Sequence, residues 1–469
     1  MQSLIGIDVG TQGLRACAFN LSGELLAKEV VVFHSMNEPS PLFAEQDPLE
    51  WRTALYTACR KIAKNPAVDP DKVLALSYAC TSCTAVFLDE FLQPVRPAIM
   101  WCDHRAWKEA EEISATNNPV LRYAGTVVSP EWMLPKLLWL KKHEPETLAR
   151  TVHILEQTDY LTYLLSGMWT LSYNTMVAKW NYANPAGGWP EGFLEEIGVA
   201  DLSDKWPDKI IPLGTPIGKL SSEMAAGTNL SENTMIIQGG MDSTAGMLGL
   251  GAYNIGEIGI SYGTSTVIQC QFDKVSNNLR ARPDALTKGL NLIGGGETSS
   301  GAVAQWFVKQ LTIDSNIKYE DFYAHLDESV AKIAPGSEGI IVQEHFQGSR
   351  NMEDPDSRGI ILGLTLYHST AHIMRAIYEA IAFSVKRFLD QLAGEEYPIK
   401  RLCAGGGLVK SQICTQILAD VCGIPINRGQ QKEYTALGAA IIAGKGIGIF
   451  TDFNEGIKKM VRFLSPVNP

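Results

Sequence analysis

Two stretches of this chain, 253 residues apart, read almost alike. Gly6-Ile7-Asp8-Val9-Gly10-Thr11 lies at the N-terminus and Gly259-Ile260-Ser261-Tyr262-Gly263-Thr264 past the middle, with four of six positions identical. Each is an apolar run with strand character, broken at Gly-Thr and followed by a second such run, Leu14 to Phe19 and Val267 to Phe272. That pattern predicts a β-hairpin. A tight Gly-Thr turn gathers backbone N–H groups and a hydroxyl into a concavity of the kind that binds phosphate. Two such turns on two similar halves suit a polyphosphate held from both sides. The plain alternative is a pair of ordinary hairpins that coincide.

A chain of 469 residues exceeds what one hydrophobic core usually serves, so two large domains are expected. A net charge of −11 argues against general binding to nucleic acid or to an anionic membrane, though backbone donors and magnesium still allow phosphate binding. The start, MQSLIGIDVG, has neither a basic leader nor a long apolar core, and no run approaches the roughly 18 apolar residues of a membrane span. Nine cysteines without a framework suit free thiols in a reducing cytosol. Cys80 and Cys83 form a lone CxxC, too little to specify zinc. His368 and His372, spaced i,i+4, lack an evident carboxylate or cysteine partner and read as helix-start residues.

Strands are expected at 3–9, 14–20, 25–33 and 73–79. A helix starts at Asp47-Pro48 and carries Trp51, Leu55, Ala58 and Ile62 at helical spacing. Residues 100–200 are more helical and rich in tryptophan, which suits an insertion with a binding face; Pro135 would open a helix over PKLLWLKKHEPE. Thr234 to Gly240 reads as a buried strand ending in Gly-Gly, with a helix from Ser243 to Leu250. The domain boundary is placed near residue 245, giving segments 1–245 and 246–469. Beyond it, an amphipathic helix runs from about Thr370 to Leu392 with Ile373, Ile377, Ile381, Phe388 and Leu392 on one face. A strand, Arg401 to Ala404, enters the turn Gly405-Gly406-Gly407, and a helix covers about Lys410 to Val421.

GxxxxGK[ST] is absent, so phosphate must be held by another device. Asp8 ends the first strand two residues before Gly10, where a carboxylate can hold magnesium through water. Asp242 follows an apolar strand and Gly239-Gly240-Met241 at a strand-to-helix junction. Either alone reads as a cap or turn aspartate. Together they give what phosphoryl transfer to an alcohol needs: charge neutralisation, positioning and a base near the attacking hydroxyl. The glycines at 405–407 let a flat base or ribose approach the backbone, or else simply make a turn.

Taken together these motifs resemble the FGGY carbohydrate kinases of the actin, sugar kinase and Hsp70 superfamily, over nearly the whole chain. GIDVGTQGLRACAFNLSGELL is similar to the family's first phosphate hairpin, QGGMDSTAGMLGLG to its catalytic-aspartate segment, GISYGTSTVI to its second hairpin and AGGGLVKSQICTQILADVCGIPI to its adenosine segment. GIILGLTLYHSTAHIMRAIYE, Gly359 to Glu379, meets the C-terminal signature. An earlier signature is met at Lys136 to Leu140, while Glu131 to Met133 depart from it. The resemblance implies an α/β fold of two actin-like (ribonuclease H-like) domains flanking a cleft, with ATP and Mg2+ as cofactors. It implies Asp242 as general base. Asp8 would be the magnesium-associated carboxylate, with Asp242 near the same ion. Gly10, Thr11, Gln12, Gly263 and Thr264 would lie on the phosphates, and Gly301, Gly406, Gly407 and Ser411 around the nucleotide. Trp101, Asp103 and Arg105, in MWCDHRA, would form the sugar-side loop.

WCDHRA, NPVLRYAGTVVSPEW, Ala178-Lys179-Trp180 and EHFQGSR resemble ribulokinase-type members. That implies sugar contacts from Ser82 and Lys179, although Lys179 reads equally as a solvated surface lysine. The expected substrate is a pentulose, ribulose or xylulose, with another polyol or sugar acid (erythritol, gluconate, an autoinducer-type sugar) as the alternative. Homodimers are common among such kinases, and no exposed seam is legible here. An actin- or Hsp70-like ATPase switch and a catalytically dead sugar-binding relative are the rival readings.

Overall fold

The computed structural model describes residues 1–123, 127–182, 187–276, 279–312, 319–349, 354 and 356–469. Two of the stretches quoted above run partly outside these, at 124–126 and at Arg350. The predicted first strands are present as β1 (Ser3–Gly10), β2 (Gly13–Asn20), β3 (Leu25–Val32) and β4 (Val73–Cys80). They join β5 (Pro216–Lys219), β6 (Met235–Ile237) and the short β7 (Gly240–Met241) in one sheet of order β5-β6-β4-β1-β2-β3, with β7 pairing the end of β4. The expected single strand over 234–240 is therefore two short ones. Both pair with β4 in parallel, and its last residues, Ala79 and Cys80, meet Gly240 and Met241.

The second sheet repeats this plan. Its strands are β8 (Glu257–Tyr262), β9 (Thr266–Phe272), β10 (Ala281–Pro283), β11 (Asn291–Gly295), β12 (Arg401–Gly405) and β13 (Ile426–Arg428), in the order β10-β11-β9-β8-β12-β13. In each sheet an antiparallel hairpin, β1-β2 or β8-β9, continues in parallel through β4 and β6 or through β12 and β13. Antiparallel β3 and β11 flank the other side. The repeated hexapeptides thus occupy equivalent central strands. Their residues are almost wholly buried, which explains why both runs are apolar rather than alternating.

Helix α1 (Pro48–Lys64) starts where the sequence predicted. Asp47 caps it by accepting from the Leu49 N–H, and Trp51, Leu55, Ala58 and Ile62 are buried beneath the first sheet. The segment PKLLWLKKHEPE forms two helices, Met133–His143 and Pro145–Arg150. Pro135 falls within the first turn, where a missing N–H has no intrahelical partner to lose; the second proline, Pro145, opens a helix of its own. In the second half, α3 (Thr370–Gly394) buries the predicted apolar face. His372 closes a capping box with Ser369: the Ser369 N–H donates to His372 Nδ1 at 3.1 Å. Both histidines sit at that helix start.

Helices α2 (Asp242–Gly249) and α5 (Tyr434–Gly446) join the two sheets. Residue 245, near the expected division of the chain, lies inside α2. α5 belongs to the C-terminal segment, yet it packs on β1 and β4 of the first sheet and against α2. Contact is at backbone distance. A Cβ at Gly6 would lie 1.8 Å from the Ala436 carbonyl oxygen, and one at Gly438 1.8 Å from that of Ala245. One apolar cluster accordingly runs from Leu4 and Ile237 through Leu248 to Ile441 and Cys403, joining separate cores in each half. A fourth core, with Trp132, Trp180, Leu137 and Phe193, fills the aromatic insertion. Among the described residues no helix is long and apolar enough to cross a membrane.

Candidate active site

The ends of β1, β4 and β8 meet the start of α2, and the chemistry-bearing residues gather there. Asp8 is on the last turn of β1 and Asp242 is the first residue of α2. The Asp242 Oδ1 accepts from the Ser243 N–H at 2.6 Å. Asp8 is held on one side by the Arg15 guanidinium at 3.5 Å. Arg15 is in turn shared with Glu433 at the head of α5, 3.9 Å away, and Glu433 also pairs with Lys28. Burial pushes the Asp8 carboxyl up to about 7, and the neighbouring Asp242 charge adds to the rise while Arg15 opposes it. The two aspartates are therefore close enough to feel each other's charge.

The first turn, Gly10 to Gly13, is held by side chains from the N-terminal half. Thr11 Oγ1 accepts from the Trp101 indole N–H at 2.8 Å, and its carbonyl accepts from Gln46 Nε2 at 3.1 Å. Gln46 is itself fixed by the Trp51 indole at 2.7 Å. Gln12 is exposed at the tip. The second turn is held by backbone. The carbonyls of Gly263 and Thr264 accept from the N–H groups of Gly301, Ser300 and Ala302 at 2.9–3.0 Å, at the start of helix Gly301–Thr312. Gly301 must be small, since a Cβ there would sit 2.4 Å from the Gly263 oxygen. Gly406 has φ +112°, and a Cβ on it would meet the Tyr262 carbonyl at 2.6 Å, so this turn closes against the second hairpin.

Next to Asp242 a cavity of about 220 Å³ opens between the halves. It is smaller than the roughly 300–1,000 Å³ that drug-sized ligands fill. Ser82, Trp101, Lys179 and Asp242 all line it. Lys179 is not a solvated lysine: its side chain is 15% exposed and lies 3.2 Å from Glu131, which His104 also approaches at 3.5 Å.

Residues 3–249 match the N-terminal domain of the FGGY family of carbohydrate kinases, and residues 258–447 match its C-terminal domain. The chain belongs to the FGGY family of carbohydrate kinases. It is 28% identical to an FGGY carbohydrate kinase domain-containing protein of Xenopus laevis, across 97% of this chain and 90% of that one. It is 25% identical to a gluconokinase of Bacillus subtilis (96% and 89%) and 27% identical to a ribulokinase of Geobacillus thermodenitrificans (97% and 88%). The fold is that of a xylulose kinase from Rhodospirillum rubrum, with TM-score 0.87 at 23% identity over 100% of this chain and 94% of that one. The protein is thus an ATP-dependent carbohydrate phosphotransferase of two actin-like domains.

Two residues expected in the sugar-side loop do not line this cavity. Asp103 and Arg105 are buried behind the cavity rather than lining it. Asp103 accepts from the Ala44 N–H at 2.6 Å and binds the Arg105 guanidinium at 2.8–3.0 Å, which also reaches Glu45 and stacks 3.9 Å over Phe43. They brace the loop that carries Trp101. Ser411 is buried and caps α4 (Gln412–Cys422) by accepting from the Cys414 N–H at 3.1 Å. The cap also shortens the predicted 410–421 helix, since Leu408–Lys410 is a separate turn of 3-10 helix.

Sequence reasoning passed over several residues that the kinase brings to the cavity: Glu131, Ser243, Gln269, Arg280 and Arg282. Glu131 carried a signal, because it stands where the chain departs from the family signature. Arg280 and Arg282 carried only i,i+2 spacing before a strand, which any exposed edge could show.

Proposed function

We propose that this kinase transfers the γ-phosphoryl group of ATP to the terminal hydroxyl of an open-chain sugar, a pentulose such as ribulose or xylulose, with Asp242 as general base. One observation supports the reading: Asp8 and Asp242 lie close enough for the charge of one to act on the other, and Asp242 also lines a small cavity with Ser82, Trp101 and Lys179. Asp242 would take the hydroxyl proton as the oxygen attacks phosphorus. Backbone donors around Gly10, Thr11, Gln12, Gly263 and Thr264 would hold the phosphates, with Gly301, Gly406 and Gly407 beside the nucleotide.

The mutual repulsion of Asp8 and Asp242 fits a divalent cation. Mg2+ held near Asp8 would neutralise phosphate charge, and both carboxylates can reach it through water. Burial first, and the Asp242 charge second, raise the Asp8 pKa, and a cation would relieve the second of these. Nine unpaired thiols support the cytosol as its compartment.

Arg280 and Arg282 favour a second reading. With Lys179 they put three cations on the cavity wall against Glu131 and Asp242, a balance that suits a sugar acid such as gluconate. A coupled ADP assay over ribulose, xylulose, erythritol, gluconate and glycerol separates the two. Asp242→Asn should retain sugar binding and lose ~10²–10⁴ in kcat, the usual worth of a general base. Near-normal turnover in that variant would remove Asp242 from the chemistry.

A further inference from the structure

The sugar-side residues Ser82, Trp101 and Lys179 sit on three separate segments, yet one buried polar cluster bonds Ser82 itself and the immediate chain neighbours of the other two. Its centre is Glu156, fully buried at the end of strand His153–Glu156. One carboxylate oxygen accepts from the Ser82 hydroxyl at 2.9 Å and the other from the Trp180 indole N–H at 2.6 Å. Trp180 follows Lys179 directly. Beside this lies Lys136, also fully buried, whose ammonium donates to the carbonyls of Cys83 at 2.6 Å and Met100 at 2.8 Å. Cys83 follows Ser82 and Met100 precedes Trp101. Burial raises the Glu156 carboxyl, while its hydrogen bonds from Trp180, Ser82 and Cys83, and then the Lys136 charge, oppose the rise and favour the ionised form. A buried carboxylate and a buried ammonium, each hydrogen-bonded, are a costly arrangement to maintain in a core.

We infer that Glu156 is a positioning residue for substrate selection: by accepting the hydrogen bond that the Ser82 hydroxyl donates, it leaves the Ser82 oxygen as an acceptor facing the sugar. An indole N–H can only donate, so Trp180 fixes which carboxylate oxygen is left for Ser82. A hydroxyl has one proton, and Glu156 holds it. The Ser82 oxygen therefore reads a hydroxyl that donates and disfavours a carbonyl or ether oxygen at the same place, which would set two acceptors against each other. Lys136 holds the two neighbouring segments at the register this requires. The inference rests on the proposed sugar cavity.

The test begins with the sugar that the wild-type kinase turns over best, drawn from ribulose, xylulose, erythritol and gluconate, and with its single-position deoxy and O-methyl analogues. For wild type, one position should exist where O-methylation costs more than removing the hydroxyl. In Glu156→Gln, Trp180 keeps the amide oxygen, and the amide N–H2 faces Ser82 and donates to it. The Ser82 proton then turns into the cavity. KM for the parent sugar should rise about ten-fold, the worth of roughly one hydrogen bond, with kcat within about two-fold. The penalty on the O-methyl analogue at that position should shrink. Ser82→Ala should raise KM similarly, and adding Glu156→Gln to it should cost nothing more, because the effect passes through Ser82.

Equal falls in kcat and kcat/KM, an unchanged KM, or additive losses in the double variant would overturn the inference while leaving the sugar-kinase reading intact. Should Glu156→Gln not fold, the wild-type analogue series decides alone: O-methyl and hydroxyl sugars used equally well at every position overturn it. Turnover of none of the sugars by wild type would overturn the cavity assignment and this inference with it.

Discussion

The two hairpins share a backbone plan and differ in what surrounds it. In the first, the turn is gripped by side chains, with Trp101 on the Thr11 hydroxyl and Gln46 on its carbonyl. In the second, main-chain N–H groups at the start of helix Gly301–Thr312 bond the carbonyls of Gly263 and Thr264. The strands diverge in the same way. At the position equivalent to Asp8 the second copy has Ser261, whose hydroxyl bonds the Tyr434 phenol at 2.7 Å. The repeat thus fixes strand order and register, while each copy's neighbours decide what its turn can do. The first turn reaches the cavity wall through Trp101 and the second through Ser265, while the second is also bound to a helix.

Equivalent glycines offer the hardest test of that view. Gly6 and Gly259 occupy the same position of the repeat. A Cβ at Gly6 would collide with α5 backbone at 1.8 Å, whereas one at Gly259 would meet the Met247 side chain at 2.9 Å, which can move. Gly6→Ala should cost more than ~3 kcal/mol, beyond ordinary overpacking, and Gly259→Ala about 1 kcal/mol. Urea denaturation followed by circular dichroism measures both. Equal losses would mean that α5 is not the fixed element against which the first sheet is built.

The repeated hexapeptide made the duplicated sheets legible before any coordinates. Periodicity likewise revealed α1 and α3, because their buried faces are continuous and their caps are local. What stayed hidden depends on long-range contact. The return of α5 to the first sheet leaves no trace beyond a uniformly apolar helix and glycines whose partners lie hundreds of residues away. Glu156 reads as a lone acid in an apolar stretch, and only the meeting of Ser82, Trp180 and Lys136 gives it a role. Asp103 and Arg105 illustrate the reverse: a charged pair in a loop suggests a ligand contact, and only their mutual bonds and the Phe43 and Trp139 rings around Arg105 show a bracing role. Residue type suggested the chemistry, but direction and burial assigned it.

A carboxylate stands at Asp8 where the other copy has a hydroxyl, so the first copy alone should be sensitive to pH. In the folded protein Asp8 holds its proton up to about 7, against 3.8 for an ordinary aspartate. Between those values the folded state binds the proton and the unfolded state does not. The stability contributed by this group is therefore full below about pH 4 and lost as pH rises through 7. In magnesium-free buffer at pH 7.5, Asp8→Asn should stabilise the protein by on the order of 1–3 kcal/mol, while its phosphorylation rate, assayed with magnesium, falls sharply. The gain should vanish near pH 4. A thermal-melting series across pH for both proteins checks this, and a variant no more stable than wild type at pH 7.5 would show that Asp8 is not held against its charge.

Ser261→Ala is the gentler counterpart at the equivalent position. It removes a neutral hydroxyl bonded to a phenol that burial already keeps protonated, with a pKa pushed up to about 12, so no proton is exchanged on unfolding anywhere near neutrality. The expected loss is about 1 kcal/mol, the net worth of one hydrogen bond plus part of the cost of leaving Tyr434 without it. It should be flat from pH 5 to 8. Tyr434→Phe in the Ser261→Ala background should restore part of the loss, because two apolar groups then face each other in place of one orphaned hydroxyl. The Asp8 and Asp242 charges also act on Tyr434; a pH-dependent loss at Ser261 would mean that this coupling outweighs the neutral hydrogen bond in what the substitution removes.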